Sequence, residues 1–477
     1  MSEKSNSIDD RQNFLNEDRQ VFQSMSTDAV QEEMNASCFD QVVYEGRRRK
    51  AAVLLIVIWS GTIAFHLLSW SLWLIWGMFA LMGIHSLRVL TAKPRRPLES
   101  LDREPGADVP FVSLLVAAKN EETVIARLVK MLCTQDYPLD RYEVWVIDDN
   151  SSDRTPQVLE SLGQTYSHLH VMRRSASATG GKSGALNQVL PLTQGEVVAV
   201  FDADAQVSPD LLRRVLPGFD RQEVGAIQLQ KAIANASVNF WTQSQASEMA
   251  LDSYFQQQRI ALGGIGELRG NGQFIRRTAL QQCGGWNEET ITDDLDLTLR
   301  LHLEQWDVDF ILDPPVQEEG VTTPLALWHQ RNRWAEGGYQ RYMDYWRLIF
   351  SGRISWMKIW DMLTFWIIQY FLPNAAIPDC LMAIAKNRLP VYSPMTALMI
   401  GMSVIAMVQG IRRVNRVNGK VAHLPTLLWQ TLRGTVYMLH WLLIVASTSA
   451  RIAVRPKTLK WVKTSHEGSE STVVADG

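Results

Sequence analysis

The residues of this chain best suited to chemistry are acidic, and they fall at the ends of apolar runs. Glu143–Ile147 leads into Asp148-Asp149, and Val197–Phe201 leads into Asp202-Ala203-Asp204. Ligands of open α/β sheets collect beyond the carboxyl ends of the strands, where acidic groups suit hydrogen bonds to a base or ribose. Side chains two apart on a strand point the same way. Asp202 and Asp204 therefore suit Mg²⁺ or Mn²⁺ carrying diphosphate oxygens. Helix capping by Ser152 or Asp153 ahead of Thr155-Pro156 is the competing reading. It accounts for Asp153 and leaves Asp148-Asp149 without a reason.

A glycine-rich turn, Gly180-Gly181-Lys182-Ser183-Gly184, enters a helical pattern with one lysine inside it. That arrangement suits phosphate, although its spacing is not that of a Walker A loop, and an ordinary mobile loop is the alternative. Thr292-Asp293-Asp294 opens another helix, with Thr292 as N-cap. Asp294 is there either to complement the helix dipole or to act as a general base. A helix N-terminus lowers a carboxylate's pKa, which predicts an ionised, mild base. Gln330, Arg333 and Trp334, at i, i+3 and i+4, share one helical face. An arginine with an amide and an indole suits a departing diphosphate and the wall of an acceptor pocket. An amphipathic interface helix is the alternative, and the aromatic stretch Tyr339–Trp346 fits it.

These groups need a scaffold of buried strands. Phe111–Val116, Glu143–Ile147, His168–Met172, Val197–Phe201 and Gly225–Leu229 are apolar and rich in β-branched residues, with helical patterns between them. The alternation predicts a βαβ sheet in a soluble α/β domain over 109–350. Gly264-Ile265-Gly266 with Gly270 is not a dinucleotide fingerprint, because the third glycine comes one residue late and no strand precedes it.

On both sides of this domain the chain turns apolar. Between Ala51 and Leu90 the charged residue is Arg88. Forty residues at about 1.5 Å each make two spans of an apolar core about 30 Å thick, with a turn at Ser69-Trp70-Ser71. Arg47 to Lys50 and Lys93, Arg95 and Arg96 flank the outer ends, which places both ends of the 47–96 hairpin in the cytosol. Ile359–Ala385, Val391–Gly410 and Leu424–Ala450 form a second membrane portion, 356–450. Three spans would leave the C-terminus outside, yet the tail 451–477 carries five Lys/Arg and so belongs inside. Either one segment is interfacial or re-entrant, or Leu424–Ala450 does not cross once. Asp361, Pro373, Pro378 and Arg433 point to the first and last segments.

Residues 1–46 hold ten acidic against three basic residues and read as a disordered tail rather than a signal peptide. The balance of 47 basic and 50 acidic residues excludes a nucleic-acid footprint over the whole chain. Seventeen tryptophans fit rings held at membrane–water boundaries. Cys38, Cys133, Cys283 and Cys380 lie far apart without a C-x-x-C pair, which excludes a zinc knuckle or redox pair.

Taken in order, Asp148-Asp149, Asp202-Ala203-Asp204, Thr292-Asp293-Asp294 and Gln330–Trp334 resemble the D, DxD, (T/S)(E/D)D and QxxRW motifs of the family-2 inverting glycosyltransferases. That family includes the cellulose and hyaluronan synthases, and the resemblance covers roughly 110–345. It implies a GT-A (Rossmann-like) α/β glycosyltransferase domain, cytosolic and flanked by transmembrane helices. It also implies that Asp149 meets the uracil of a UDP-sugar, Lys182 its diphosphate, and Asp202 and Asp204 the ribose and a Mg²⁺ (or Mn²⁺) ion. Asp294 would deprotonate the acceptor, and Gln330, Arg333 and Trp334 would line the acceptor and leaving-group side. Trp461–His466 is similar to the C-terminal gating segment of membrane relatives. Within the family, the acidic tail, the Arg47–Leu90 hairpin and the stretch Gln330–Tyr339 look most like the enzymes that move glucose from UDP-glucose to 1,2-diacylglycerol. A processive β-glycan synthase is the alternative.

Overall fold

The computed structural model describes residues 46–68, 70–95, 109–421 and 423–455, together with Phe39. The bulk of the acidic tail, its Asn35-Ala36-Ser37 sequon, Cys38 and the gating-like Trp461–His466 lie outside the described residues.

Seven strands form one sheet: β1 (Val112–Ala118), β2 (Tyr142–Asp148), β3 (Leu169–Arg173), β4 (Val197–Asp202), β5 (Val224–Ile233), β6 (Gln273–Arg276) and β7 (Asp307–Glu318). Their order is β3-β2-β1-β4-β6-β5-β7. The first four run parallel, whereas β6 is antiparallel to both its neighbours. Alternation along β1 feeds two cores. Leu114 and Val116 pack with Leu128, Leu159 and Phe201 on one face, and Leu115 packs with Leu186, Val200 and Trp286 on the other.

Five strands lie where the apolar runs predict them, each within a few residues. The sequence reading omitted β6 and β7. Strand β6 has only four residues and follows a glycine-rich loop, so no period-2 pattern develops. Strand β7 contains Pro314 and Pro315, which interrupt the ladder: its pairing with β5 jumps from Leu229↔Ile311 to Lys231↔Val316.

Among the described residues, the helices of eight or more residues are α1 (Arg47–Leu67), α2 (Ser71–Thr91), α3 (Ile125–Cys133), α4 (Thr155–Thr165), α5 (Gly181–Val189), α6 (Phe240–Ala261), α7 (Asp293–Leu303), α8 (Pro324–Ile349), α9 (Trp356–Trp366), α10 (Leu372–Ala385), α11 (Ser393–Val417), α12 (Leu424–Met438) and α13 (His440–Val454). A π-helical turn, Ile367–Phe371, joins α9 to α10. Among the described residues, five segments are long and apolar enough to cross a membrane: α1, Leu72–Thr91, Trp356–Ala385, α11 and Leu424–Val454. Trp70, Trp73 and Trp76 are exposed where α1 turns into α2, as an interfacial role for these rings expects. Asp361, a suspect for mid-membrane charge, sits instead at the domain boundary. Its carboxylate takes a 2.9 Å bond from the Arg259 guanidinium and another from the Ile265 amide. Cys133 and Cys283 are buried and Cys380 is exposed, all as free thiols.

Candidate active site

Strand register assembles the donor side. Ala118 pairs with Asp148 and Ala117 with Asp202, so β1, β2 and β4 end at one level. Asp148 is buried, and its carboxylate accepts from the Ser151 amide at 3.0 Å, shaping the turn that presents Asp149. Asp149 is gripped by Arg174 at 2.7 Å and by Lys119 at 3.3 Å. Asp153 lies one residue before the N-cap of α4, Arg154, where no side-chain capping bond is made; one of its oxygens accepts from the Thr155 amide and the other from the Glu122 amide.

Gly180 and Gly181 both adopt positive φ, and Lys182 follows in the first turn of α5. Its ammonium bonds the Asp202 carboxylate at 2.5 Å. Burial opposes that charge, but Asp202 and Asp293 outweigh it and raise the pKa above the usual lysine range. Asp202 and Asp204 do not share a side by strand geometry, because the strand stops at Asp202. A turn closed by the Ala205 amide on the Asp202 carbonyl carries Asp204 inward. There its Oδ2 accepts from the Glu319 amide at 2.8 Å.

Among the described residues no three or more His, Cys, Asp or Glu side chains converge on one point. Two hard-oxygen carboxylates at one strand end fit a Mg²⁺-like cation, which usually takes one or two carboxylates plus phosphate oxygens.

Asp294 lies in the first turn of α7, its Oδ1 accepting from the Leu295 amide at 2.8 Å. The expected lowering of its pKa does not occur. Burial and the adjacent Asp293 push it up to about 6, against that amide, Lys182 and Lys231. Desolvation and a like charge outweigh the helix N-terminus here. Thr292 occupies the N-cap position but makes no capping bond. It faces Gly337 of α8 instead, where an added Cβ would lie 2.2 Å from its Oγ1.

Helix α8 carries the remaining groups. Arg333 is partly buried and lies within electrostatic range of Asp202, Asp294 and Asp293. Two cations lie over the Trp334 ring, the Arg331 guanidinium 3.9 Å from its centre and the Lys231 ammonium 5.0 Å away. The Gln330 side-chain carbonyl accepts from Arg331 at 2.9 Å, so this amide braces its own helix.

The arrangement combines acidic strand ends, cations around Asp202, a carboxylate of raised pKa and the indole of Trp334. Residues 110–337 match the model of "Glycosyltransferase like family 2". The β-monoglucosyldiacylglycerol synthase of Trichormus variabilis is 61% identical over 427 residues, 89% of this chain and 90% of that protein. The chain belongs to glycosyltransferase family 2. The synthase of that name from Synechocystis is 56% identical over 88% of this chain and 89% of its own length. Among solved structures, the mannosyltransferase PcManGT of Pyrobaculum calidifontis, in complex with GDP-Man and Mn²⁺, aligns with a TM-score of 0.54. It shares 21% identity and covers 83% of this chain and 99% of that one, a likeness of fold.

Several residues of this family-2 glycosyltransferase site escaped the sequence reading. Arg174 directly follows β3, so a search for cations just beyond strand ends would have found it, whereas Lys119 stands in the Val116–Glu122 loop that the sequence already marks at the end of the first strand. Asn271 accepts from the Asp202 amide at 3.2 Å and keeps its own Nδ2 buried without a hydrogen-bond partner. Nothing in its sequence neighbourhood signals that role. Arg331 sits inside the Gln330–Trp334 stretch but was passed over for its neighbour. It is fully buried on Glu248 at 2.5 Å.

Proposed function

We propose that this membrane-associated family-2 glycosyltransferase transfers glucose from UDP-glucose to the free hydroxyl of 1,2-diacylglycerol, inverting the anomeric centre to give β-monoglucosyldiacylglycerol. The observation that carries the reading is the 56–61% identity to the synthases over 88–89% of this chain, a stretch longer than the catalytic domain alone. In this account Asp149, braced by Arg174 and Lys119, receives the uracil, and Lys182 swings from Asp202 to the diphosphate. Asp294 accepts the proton of the acceptor hydroxyl as oxygen attacks the anomeric carbon. A carboxylate pushed up to about 6 is a stronger base than an ordinary aspartate and remains ionised near neutral pH.

Arg333 faces the same carboxylates and would neutralise the departing UDP. Trp334, with the Lys231 and Arg331 cations over its ring, would wall the acceptor side, with Gln330 bonded to Arg331. Asp202 and Asp204 would hold a Mg²⁺ or Mn²⁺ ion, which supplies Lewis-acid stabilisation of the diphosphate when bound. The apolar helices fit a multi-pass membrane protein with its catalytic domain on the cytosolic side, where a lipid hydroxyl reaches the site from the bilayer.

The test uses purified full-length protein in detergent with Mg²⁺, radiolabelled UDP-glucose and diacylglycerol. Label in one organic-soluble band that scales with diacylglycerol is expected. High-mass, lipid-independent label would instead make the chain a polysaccharide synthase.

A further inference from the structure

We propose that residues 424–454 do not cross the membrane, although they are long and apolar enough to do so. On this reading α12 and α13 enter and leave on the catalytic side, strapped against α6 and α8 with their outer faces in lipid. The inference stands independently of which sugar and acceptor the enzyme uses.

A crossing segment must carry its ends about 30 Å apart. This one is tied at several points to helices of the catalytic domain, and its second half, through Ile444, Val445 and Ile452, also packs with Ala51 at the domain end of α1 and with Tyr370. Leu427 packs in one cluster with Ala250 and Leu251 of α6. Arg433 bonds Gln243, and Gly434 lies so close to Ser247 that a Cβ would sit 2.9 Å from the serine Cβ. The Tyr437 hydroxyl donates to Glu248 at 3.0 Å and the Trp441 indole donates to the same carboxylate at 2.8 Å. Further on, the Thr448 hydroxyl and the Arg451 guanidinium both donate to Asn332 of α8, at 2.7 and 3.1 Å. The two anchor regions are themselves joined, since Arg331 donates to Glu248 at 2.5 Å. Helices α12 and α13 follow one another through Leu439, which is itself in a helical conformation, and their anchors meet at one buried ion pair.

The other apolar helices behave differently. Helix α1 leaves the domain at Arg47, bound to Asp344, and ends at His66, bound to Asp379 of α10. Asp379 also accepts from the amides of Val391 and Tyr392, so α10 ends at that same remote level, where α11 begins. Ile75 near the start of α2 packs in one cluster with Tyr392 and Met395. Both helices then return to α6, where Gln258 donates to the Val89 carbonyl and Arg413 donates to Gln257. Four segments thus run from a domain-bound end to a remote end. Among the described residues, the even number puts Arg47 and Lys420, the two ends of this four-segment bundle, on the catalytic side.

Charge and surface agree. Arg412, Arg413, Arg416 and Lys420 precede the segment, and Arg451 and Arg455 close it, so the positive-inside rule assigns both ends to one side. Opposite its anchored face, α12 exposes Leu424, Leu428, Leu432 and Val436, a stripe spaced by four residues that water would not cover favourably. An apolar face beside crossing helices fits the acyl layer of the leaflet.

The test places a cysteine after Gly477 in the full-length chain and, separately, makes Arg388→Cys in the turn between α10 and α11. Each is checked for retained transfer activity, then exposed to a membrane-impermeant maleimide in sealed vesicles of both orientations and scored above the parent. The C-terminal cysteine is expected to label where the catalytic domain faces outward, and Arg388→Cys in the opposite orientation. Labelling of both cysteines in the same orientation would overturn the proposal.

Discussion

Thr292, at the head of the helix that carries Asp294, rests on the bare Cα of Gly337 in the helix that carries Arg333 and Trp334. A Cβ on Gly337 would lie 2.2 Å from the Thr292 hydroxyl and 2.4 Å from its methyl group. The candidate base and the acceptor-side residues are thereby set at a fixed distance by a contact that admits no side chain. Gly338, the next residue, meets the Tyr370 hydroxyl in the same close manner, so the helix is seated on both sides.

Gly337→Ala should therefore push α7 from α8 and misplace Asp294. Thr292 is β-branched and short, so the clash cannot be relieved at the end of a flexible side chain. Overpacking of this kind costs about 1–3 kcal/mol. Turnover should fall much further than affinity for UDP, measured by titration calorimetry. A variant with normal turnover would show that the contact yields without moving the base.

Asp294→Asn keeps the shape of the side chain and removes its basicity. Transfer should fall by a factor of about 10² to 10⁴, the usual contribution of a general base, while UDP still binds. Substantial remaining turnover would remove Asp294 from this role.

Because burial and Asp293 push Asp294 up to about 6, the rate should rise with pH through that value as the base ionises. Asp293→Asn deletes the like charge and should move this acidic limb to lower pH. Lys182, Lys231, Arg269 and Arg333 also face Asp294, and their positive charges act in the opposite sense. Stability follows the inverse sign. A carboxylate whose folded pKa lies above the ordinary 3.8 favours the fold while protonated and loses that contribution as pH rises through about 6. A pH–rate profile of the parent and Asp293→Asn checks both the limb and its direction.

Excess chelator should abolish transfer, and Mg²⁺ or Mn²⁺ should restore it. The donors argued for the ion, Asp202 and Asp204, are carboxylates on a turn, and hard cations of this kind are held there with the help of substrate phosphates. Full activity in chelator would contradict their assignment.

The parallel half of the sheet was legible because β1, β2 and β4 are buried on both faces and read as continuous apolar runs. Asp149, Asp202 and Asp294 were legible because each stands where an element ends or begins. What composition could not reveal was competition between effects. The helix N-terminus at Asp294 loses to burial and to Asp293, a balance set by packing rather than by local sequence. The partners of Asp149 and Asp202 come from other loops, Arg174 and Asn271, and long-range pairing leaves no local trace. Likewise, hydropathy marks Leu424–Val454 as a span because it cannot register that Tyr437 and Trp441 end on one glutamate.

Arg331 and Arg333 lie two residues apart and should fail in different ways. Arg333 faces the carboxylates of the site, so Arg333→Lys, which keeps the charge and loses the planar fork, should lower turnover sharply with little change in thermal stability. Arg331 is buried away from them, paired to Glu248, whose carboxyl is held below the usual range because this guanidinium outweighs the effect of burial. Arg331→Ala leaves that carboxylate buried without its counter-charge, at a cost of about 3–5 kcal/mol, and removes the cation over the Trp334 ring. The thermal-inactivation midpoint in detergent should drop, and Glu248→Gln in the same chain should recover part of the loss, since the remaining side chain is neutral. A double variant no more stable than Arg331→Ala would mean that the packing of Arg331 on Trp334, rather than its charge on Glu248, holds this corner of the site together.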